Sequence, residues 1–162
     1  MIVNASLSFA LGIMRAESFV EGLKRMQHVF VYGTLRAGES NDIHRAAERH
    51  GIAEPMLIGS SHINGRLYDF GAYPGLVLDP AARPIYGDVY RIDDTLVPVL
   101  DEIEEIVPGV SGLFRGERLS MLIDTDGRAQ AIDCLIYPVS ESAVEGLPRI
   151  DGGDWVVYRR GR

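Results

Sequence analysis

Glycine punctuation constrains this chain more than any other feature of its 162 residues. From residue 28 on, apolar and aromatic residues come in short runs, repeatedly interrupted or ended by one of 18 glycines. Runs that short suit strands better than helices, and glycine within or beside them lets a small sheet bend sharply. The candidate strands are residues 28–32 (HVFVY), ended by Gly33; 63–68, interrupted by Gly65; and 85–92, which contains Gly87. Two more, 119–123 and 131–137, flank Asp124-Thr-Asp-Gly127, a hairpin signal.

Helical patterning is scarce. Leu96, Val99, Leu100 and Ile103 share one helical face, with Asp93, Asp94 or Thr95 as N-cap and Pro98 tolerated in the first turn. Weaker helical patterns cover 42–50 and 140–147. The expected class is α+β, a mostly antiparallel, barrel-like sheet with a few short helices. A doubly wound parallel fold is disfavoured because strands do not alternate with long helices.

Residues 28–162 read as one domain, long enough to bury a core. Residues 1–27 read as an N-terminal extension. Phe19, Val20, Leu23 and Met26 have helical spacing, which fits a short appended helix, and translation starting at Met26 fits equally well. The uncharged opening, 1–14, is too short to span a bilayer and no basic residue precedes it, so neither membrane anchor nor signal peptide is expected. A composition of 46% apolar and 24% charged residues excludes disordered and fibrous classes. A net charge of −7 argues against nucleic-acid binding, which needs a basic face. The single cysteine, Cys134, rules out a disulfide framework and reads as a buried thiol, compatible with a cytoplasmic location. His28, His44, His50 and His62 lack paired ligand spacing, so no metal site is expected.

Three constellations could carry chemistry. The first is the loop after the first strand, Tyr32-Gly33-Thr34-Leu35-Arg36-Ala37-Gly38, whose backbone N–H groups could cradle a carboxylate, phosphate or oxyanion. Gly33 to Ser40 mimics the spacing of a phosphate-binding P-loop, but Glu39 stands where that loop needs lysine, so nucleotide hydrolysis is rejected. The second is the helix end Leu100-Asp101-Glu102-Ile103-Glu104-Glu105. Four carboxylates at the negative end of a helix repel one another, and a carboxylate kept there at that cost could serve as a base of raised pKa. The third is a set of tyrosines near turns, Tyr68, Tyr73, Tyr86, Tyr90 and Tyr137, which pack cores in most proteins and line polar pockets in some.

Together these segments resemble the γ-glutamylcyclotransferase-like superfamily. The matching residues are Val31-Tyr32-Gly33-Thr34-Leu35-Arg36, Gly38 and Asn41; Gly65-x-Leu67-Tyr68-Asp69; Tyr73-Pro74-Gly75-Leu76; Gly87-Asp88-Val89-Tyr90; Leu100-Asp101-x-x-Glu104; Tyr137; and Gly153-Asp154-Trp155. The resemblance runs from about residue 28 to 158. It implies the small γ-glutamylcyclotransferase-like fold and a cavity bounded by the Tyr-Gly-Thr-Leu loop. It also implies an enzyme that cyclises the γ-glutamyl group of an amine or peptide to 5-oxoproline without a cofactor. By the same resemblance Glu104 is the catalytic base, and Tyr32, Gly33, Thr34, Leu35, Arg36 and Tyr137 bind the small-molecule substrate. The chain departs from the pattern at Glu105, at Asp42 after Asn41, and at Phe114-Arg115-Gly116, which leaves the family arginine open between Arg115 and Arg118.

Two other readings stand beside the enzyme. A non-catalytic binding module would keep the cavity without turnover, with Glu104 turned to solvent. An interaction protein would expose Asp101, Glu102, Glu104 and Glu105 together as one acidic patch. Leaving amine and oligomeric state are not legible in the sequence.

Overall fold

The computed structural model describes residues 26–105 and 114–162. The readings of the N-terminal extension therefore lie outside the described residues, except that Met26 and Gln27 open the first strand. The elements in order are β1 (Met26–Val31), α1 (Ile43–Arg49), β2 (Met56–Asp69), β3 (Pro74–Leu78), β4 (Pro84–Asp93), α2 (Val97–Glu105), β5 (Glu117–Thr125), β6 (Arg128–Ile136), β7 (Arg149–Ile150) and α3 (Trp155–Arg160). No helix among them is long and apolar enough to cross a membrane.

The strands form one seven-stranded sheet in the order β3-β2-β4-β1-β6-β5, with β7 added to β2. Every pairing is antiparallel except β1 with β6. The sheet curls because β2 serves two partners. Its first part pairs β4 from Met56 to Asn64, and its end pairs β3 from Gly65 to Asp69. Gly65 sits at the change of partner. A Cβ there would stand 2.5 Å from Leu76 Cδ1 and 2.7 Å from the Val77 carbonyl, so only glycine allows this approach. A bulge between Leu57 and Gly59 adds twist. The curl then brings β2 against β5, where the Ser61 hydroxyl donates to the Leu122 carbonyl at 2.8 Å. The result is the expected mixed α+β architecture, a curled half-barrel with short helices.

Alternation along β1 divides the core. Phe30 and Tyr32 join Ile85, Val89, Ile123, Cys134, Ile136 and Trp155 in one cluster. Val29 and Val31 join Ile43, Ala47, Ile92, Leu96 and Leu100 in the other, where α1 and α2 cover the sheet. Cys134 is fully buried, and burial with nearby Asp133 pushes its thiol up to about 11, so it is an inert core residue.

Local signals explain most element boundaries. Asp42 caps α1, accepting from the His44 N–H at 2.9 Å and the Gly38 N–H at 2.7 Å. Asp93 accepts from the Thr95 N–H at 2.9 Å and starts a 3₁₀ turn, Asp94–Leu96, that runs into α2. Pro98 falls in the first α-helical turn, where its missing N–H costs nothing. The β5–β6 hairpin turns at Asp126 and Gly127, both with positive φ (54° and 76°), as a two-residue turn with a right-handed twist demands. The pattern over 140–147 becomes only a 3₁₀ turn, Glu141–Val144. Sequence patterning passes over β3, β7 and α3. The last of these is capped by Asp154, which accepts from the Val156 N–H at 2.9 Å.

Candidate active site

The sheet's pairing of β1 with β4 ends at Val31 opposite Asp88, and the chain leaves it as the loop 32–38. Gly33 passes beneath Pro74 at the start of β3. A Cβ on it would lie 2.7 Å from Pro74 Cγ, so this approach also requires glycine. The loop's carbonyls are used internally. Gly33 accepts from the Arg36 N–H at 3.1 Å, Thr34 from the Asn41 N–H at 3.0 Å and Leu35 from the Ile43 N–H at 3.0 Å. The Asn41 side-chain amide also donates to Thr34 Oγ1 at 3.1 Å. The N–H groups of Gly33, Thr34 and Leu35, by contrast, have no protein acceptor among the described residues. That asymmetry gives a rigid loop with donors left over, as an anion cradle requires.

Beside the loop lies a cavity of about 100 Å³, lined by Tyr32, Gly33, Thr34, Leu35, Glu104 and Tyr137 together with Asn41, Tyr73, Pro74, Ile103 and Phe114. Thus six of the seven site residues expected from the sequence converge. The seventh, Arg36, does not line the cavity. Its Nε donates to Asp88 at 3.0 Å and its Nη1 to Asp154 at 2.9 Å. It bolts the loop to β4 and to the N-cap of α3. Arg115 and Arg118, the alternatives for a family arginine, are also absent from the lining; Arg118 donates to Gln27.

Glu104 reaches the cavity because α2 is pinned by Leu96 and Leu100, both fully buried, which leaves Ile103 and Glu104 on the turn that meets the loop. The residue as a whole keeps some contact with solvent through the cavity, but protein atoms surround its carboxyl. Burial pushes that carboxyl from 4.5 up to about 8. Its charge is felt on two sides: with burial, it raises the hydroxyls of both Tyr32 and Tyr73 above their ordinary value.

One turn earlier, Asp101 accepts from the Tyr137 hydroxyl at 2.6 Å. The Tyr32 hydroxyl donates to the Tyr137 carbonyl at 2.8 Å and accepts from the Leu76 N–H at 3.2 Å. Loop, α2, β3 and the end of β6 are therefore cross-linked around the cavity. Glu102 is exposed while Asp101 and Glu104 are engaged, so the acidic helix end is not a single exposed patch. Glu39, in the lysine position of the P-loop look-alike, is buried and grips Arg159 with two hydrogen bonds of 2.7 Å. It clamps α3 instead of facing any phosphate.

Sequence reasoning gave no specific site role to Asn41 or Phe114, and named Asp101 and Tyr73 only among wider sets of carboxylates and tyrosines. Asn41, Asp101 and Tyr73 fall inside quoted motifs, which was the available signal, and Phe114 stood out only as a departure from the family pattern.

Residues 29–157 match the family described as gamma-glutamyl cyclotransferase, AIG2-like. The YtfP protein of Escherichia coli K12, named a gamma-glutamylcyclotransferase family protein, is 34% identical over 130 residues, covering 79% of this chain and 95% of that one. A protein of Rattus norvegicus named gamma-glutamylaminecyclotransferase is 24% identical over 138 residues, covering 75% of this chain and 84% of its own. The crystal structure of an AIG2-like protein from Mus musculus superposes with a TM-score of 0.62 at 21% identity, covering 78% of this chain and 87% of that one, and shares the fold. With the matched region spanning β1 to α3, the chain belongs to the AIG2-like gamma-glutamylcyclotransferase family.

Proposed function

We propose that this protein cyclises the γ-glutamyl group of a γ-glutamyl amine to 5-oxoproline, with release of the free amine and Glu104 as the general base. The observation that carries the reading is positional. Glu104 is the one charged side chain among the described residues lining a cavity whose other wall is the Tyr32–Leu35 loop.

The chemistry follows from that arrangement. The N–H groups of Gly33, Thr34 and Leu35, without an acceptor among the described residues, hold the substrate's α-carboxylate, with Tyr32 and Tyr137 as walls. The α-ammonium then faces Glu104. An α-amino group has a reference pKa of about 8, and burial brings Glu104 to about 8 as well, so proton transfer between them is nearly level. The ionised carboxylate takes one proton. The freed amine attacks the γ-carbonyl carbon, already tethered within reach, and a C–N bond closes the five-membered ring. The ring nitrogen gives up a second proton as the C–N bond to the leaving group breaks. Glu104 passes both protons in turn to the departing nitrogen, which leaves as an ammonium, while the lactam keeps one N–H. Ring closure needs no water. Arg36 supports the reaction from outside the cavity by fixing the loop. A cytoplasmic setting fits the buried lone thiol.

The test is pyroglutamate release from a panel of γ-glutamyl amines by wild type and by Glu104→Gln. Release that collapses by about a hundredfold or more in the variant supports the base assignment. Release that survives removes Glu104 from that role. A folded protein that acts on no member of the panel would instead favour a non-catalytic binding module.

A further inference from the structure

Strand β2 changes partners along the edge it shares with β4. That pairing ends at Asn64, and β7 takes over at Leu67, whose other side pairs with β3. At the change lies a pocket of about 420 Å³ that shares no lining residue with the cavity beside Glu104. Leu67, Ile85 and Ile150, all buried, give it an apolar lining. Three arginines, Arg66, Arg83 and Arg149, line it against one acid, Asp151, in a chain of net charge −7. Arg66 is spent: Nε donates to Asp79 at 3.2 Å, and Nη1 and Nη2 to Glu141 at 2.8 and 2.6 Å. Arg83 and Arg149 are exposed, and neither guanidinium has an acceptor among the described residues. Their backbones are held, since the Gly65 N–H donates to the Arg83 carbonyl at 3.0 Å and Arg149 pairs with Tyr68. The fully buried Trp155, packed in the same cluster as Leu67, Ile85 and Ile150, also has an indole N–H with no acceptor among the described residues. Donors without acceptors therefore gather around this pocket.

We infer that this pocket is a second binding site, which takes a small organic anion: a compact apolar body with a carboxylate or phosphate head held by Arg83 and Arg149. The inference does not depend on the cyclisation reading. A guanidinium presents its N–H groups as a planar fork that matches the oxygens of either head. Asp151 balances only one of the two free charges, so the lining stays net positive. A cation would meet like charge there, and a neutral ligand would leave the forks unmatched. A bare inorganic anion would leave the apolar lining uncovered, whereas an alkyl or aryl body removes it from water. The chain's overall negative charge does not forbid this. At physiological ionic strength charges farther off than about 8 Å are largely screened, so the arginines at the pocket decide.

The experiment titrates the full chain with phenyl phosphate and with benzoate, which share a ring and differ in the head. Benzyl alcohol supplies the ring without charge, and inorganic phosphate the charge without a ring. Binding is read by calorimetry and by the fluorescence of Trp155, the single tryptophan. At least one of the two aryl anions should bind with a dissociation constant of about 1 mM or tighter, and the tighter of them identifies the head. The double variant Arg83→Gln/Arg149→Gln should weaken that binding about tenfold or more, while Arg128→Gln, an exposed arginine outside the pocket, should not. Both substitutions lie on the surface, and circular dichroism checks that the fold is kept. Absence of saturable binding by either aryl anion at millimolar concentration would overturn the inference. So would equal affinity for benzyl alcohol or for inorganic phosphate. Binding that persists undiminished in the folded double variant would also overturn it, and would place the anion elsewhere, with the Tyr32–Leu35 loop as the first candidate.

Discussion

Replacing Glu104 with glutamine should stabilise the protein in alkali while removing the proposed base. Burial raises this carboxyl from 4.5 to about 8. A tenfold change in proton affinity is worth about 1.4 kcal/mol, so ionising Glu104 costs the folded state about 5 kcal/mol more than it costs the unfolded chain. The sign follows from proton binding. The folded protein keeps a proton that the unfolded chain gives up between 4.5 and about 8, so the unfolded state binds fewer protons there and stability falls as pH rises. Glu104's favourable contribution is complete below the lower value, is lost as pH climbs through the upper one, and is flat beyond. Glutamine has no such proton to lose. The urea midpoint of Glu104→Gln minus that of wild type should therefore grow from about pH 5 to about pH 9 by the equivalent of about 4 kcal/mol. Titrations common to both proteins cancel in the difference. A difference that stays flat across that range, or shrinks as pH rises, would refute a buried, desolvated Glu104.

Other expectations concern groups that hold the site without touching its chemistry. Asp101→Asn weakens the hydrogen bond from Tyr137 by removing its charge. It should cost about 1–2 kcal/mol in stability and lower kcat about tenfold, checked by denaturation and by pyroglutamate release; an unchanged kcat would show that the link does not orient α2. Arg36→Ala leaves Asp88 and Asp154 without their shared cation. It should cost about 2–3 kcal/mol and raise KM more than it lowers kcat, because the carboxylate cradle loosens while Glu104 stays in place. A fall in kcat alone would argue against a cradle role for the loop.

Legibility in the sequence followed the range of the interaction. The β5–β6 hairpin and α2 were readable because their signals are local: Asp126-Gly127 for the turn, and Leu96, Leu100 and an aspartate cap for the helix. The first half of β2 was not. Gly59, Ser60 and Ser61 are poor strand formers, and their pairing with β4 holds them there. Strand β3 opens on a proline and is buried along most of its length, so it shows no alternation. The Tyr-Gly-Thr-Leu loop and Glu104 were identified as site residues through family motifs, and the cavity brings them together. Arg36 travelled with that loop in the motif, yet its direction depends on Asp88 and Asp154, distant in sequence, and a linear reading gives no hint of where its guanidinium turns. Phe114 was noted only as a departure from the family pattern, and its place beside Tyr73 depends on contacts distant in sequence.

The parallel pairing of β1 with β6 has a consequence for how the molecule comes to be. β1 is a central strand, yet its parallel neighbour lies about a hundred residues downstream, Val29 standing opposite Leu135. Tyr32 and Tyr137, 105 residues apart and hydrogen-bonded, repeat that separation within the site. A chain emerging from the ribosome can form β1, β2, β3 and β4 early, but the sheet's middle stays open until β6 arrives. Pairings so far apart in sequence close slowly, since the loop entropy must be met before the contacts form. The cavity is thus among the last features to be completed during synthesis, and nascent fragments that stop short of β6 carry the Tyr-Gly-Thr-Leu loop without Tyr137 to close its wall. Regain of activity on refolding would then report completion of the whole sheet, long after most of the secondary structure has formed.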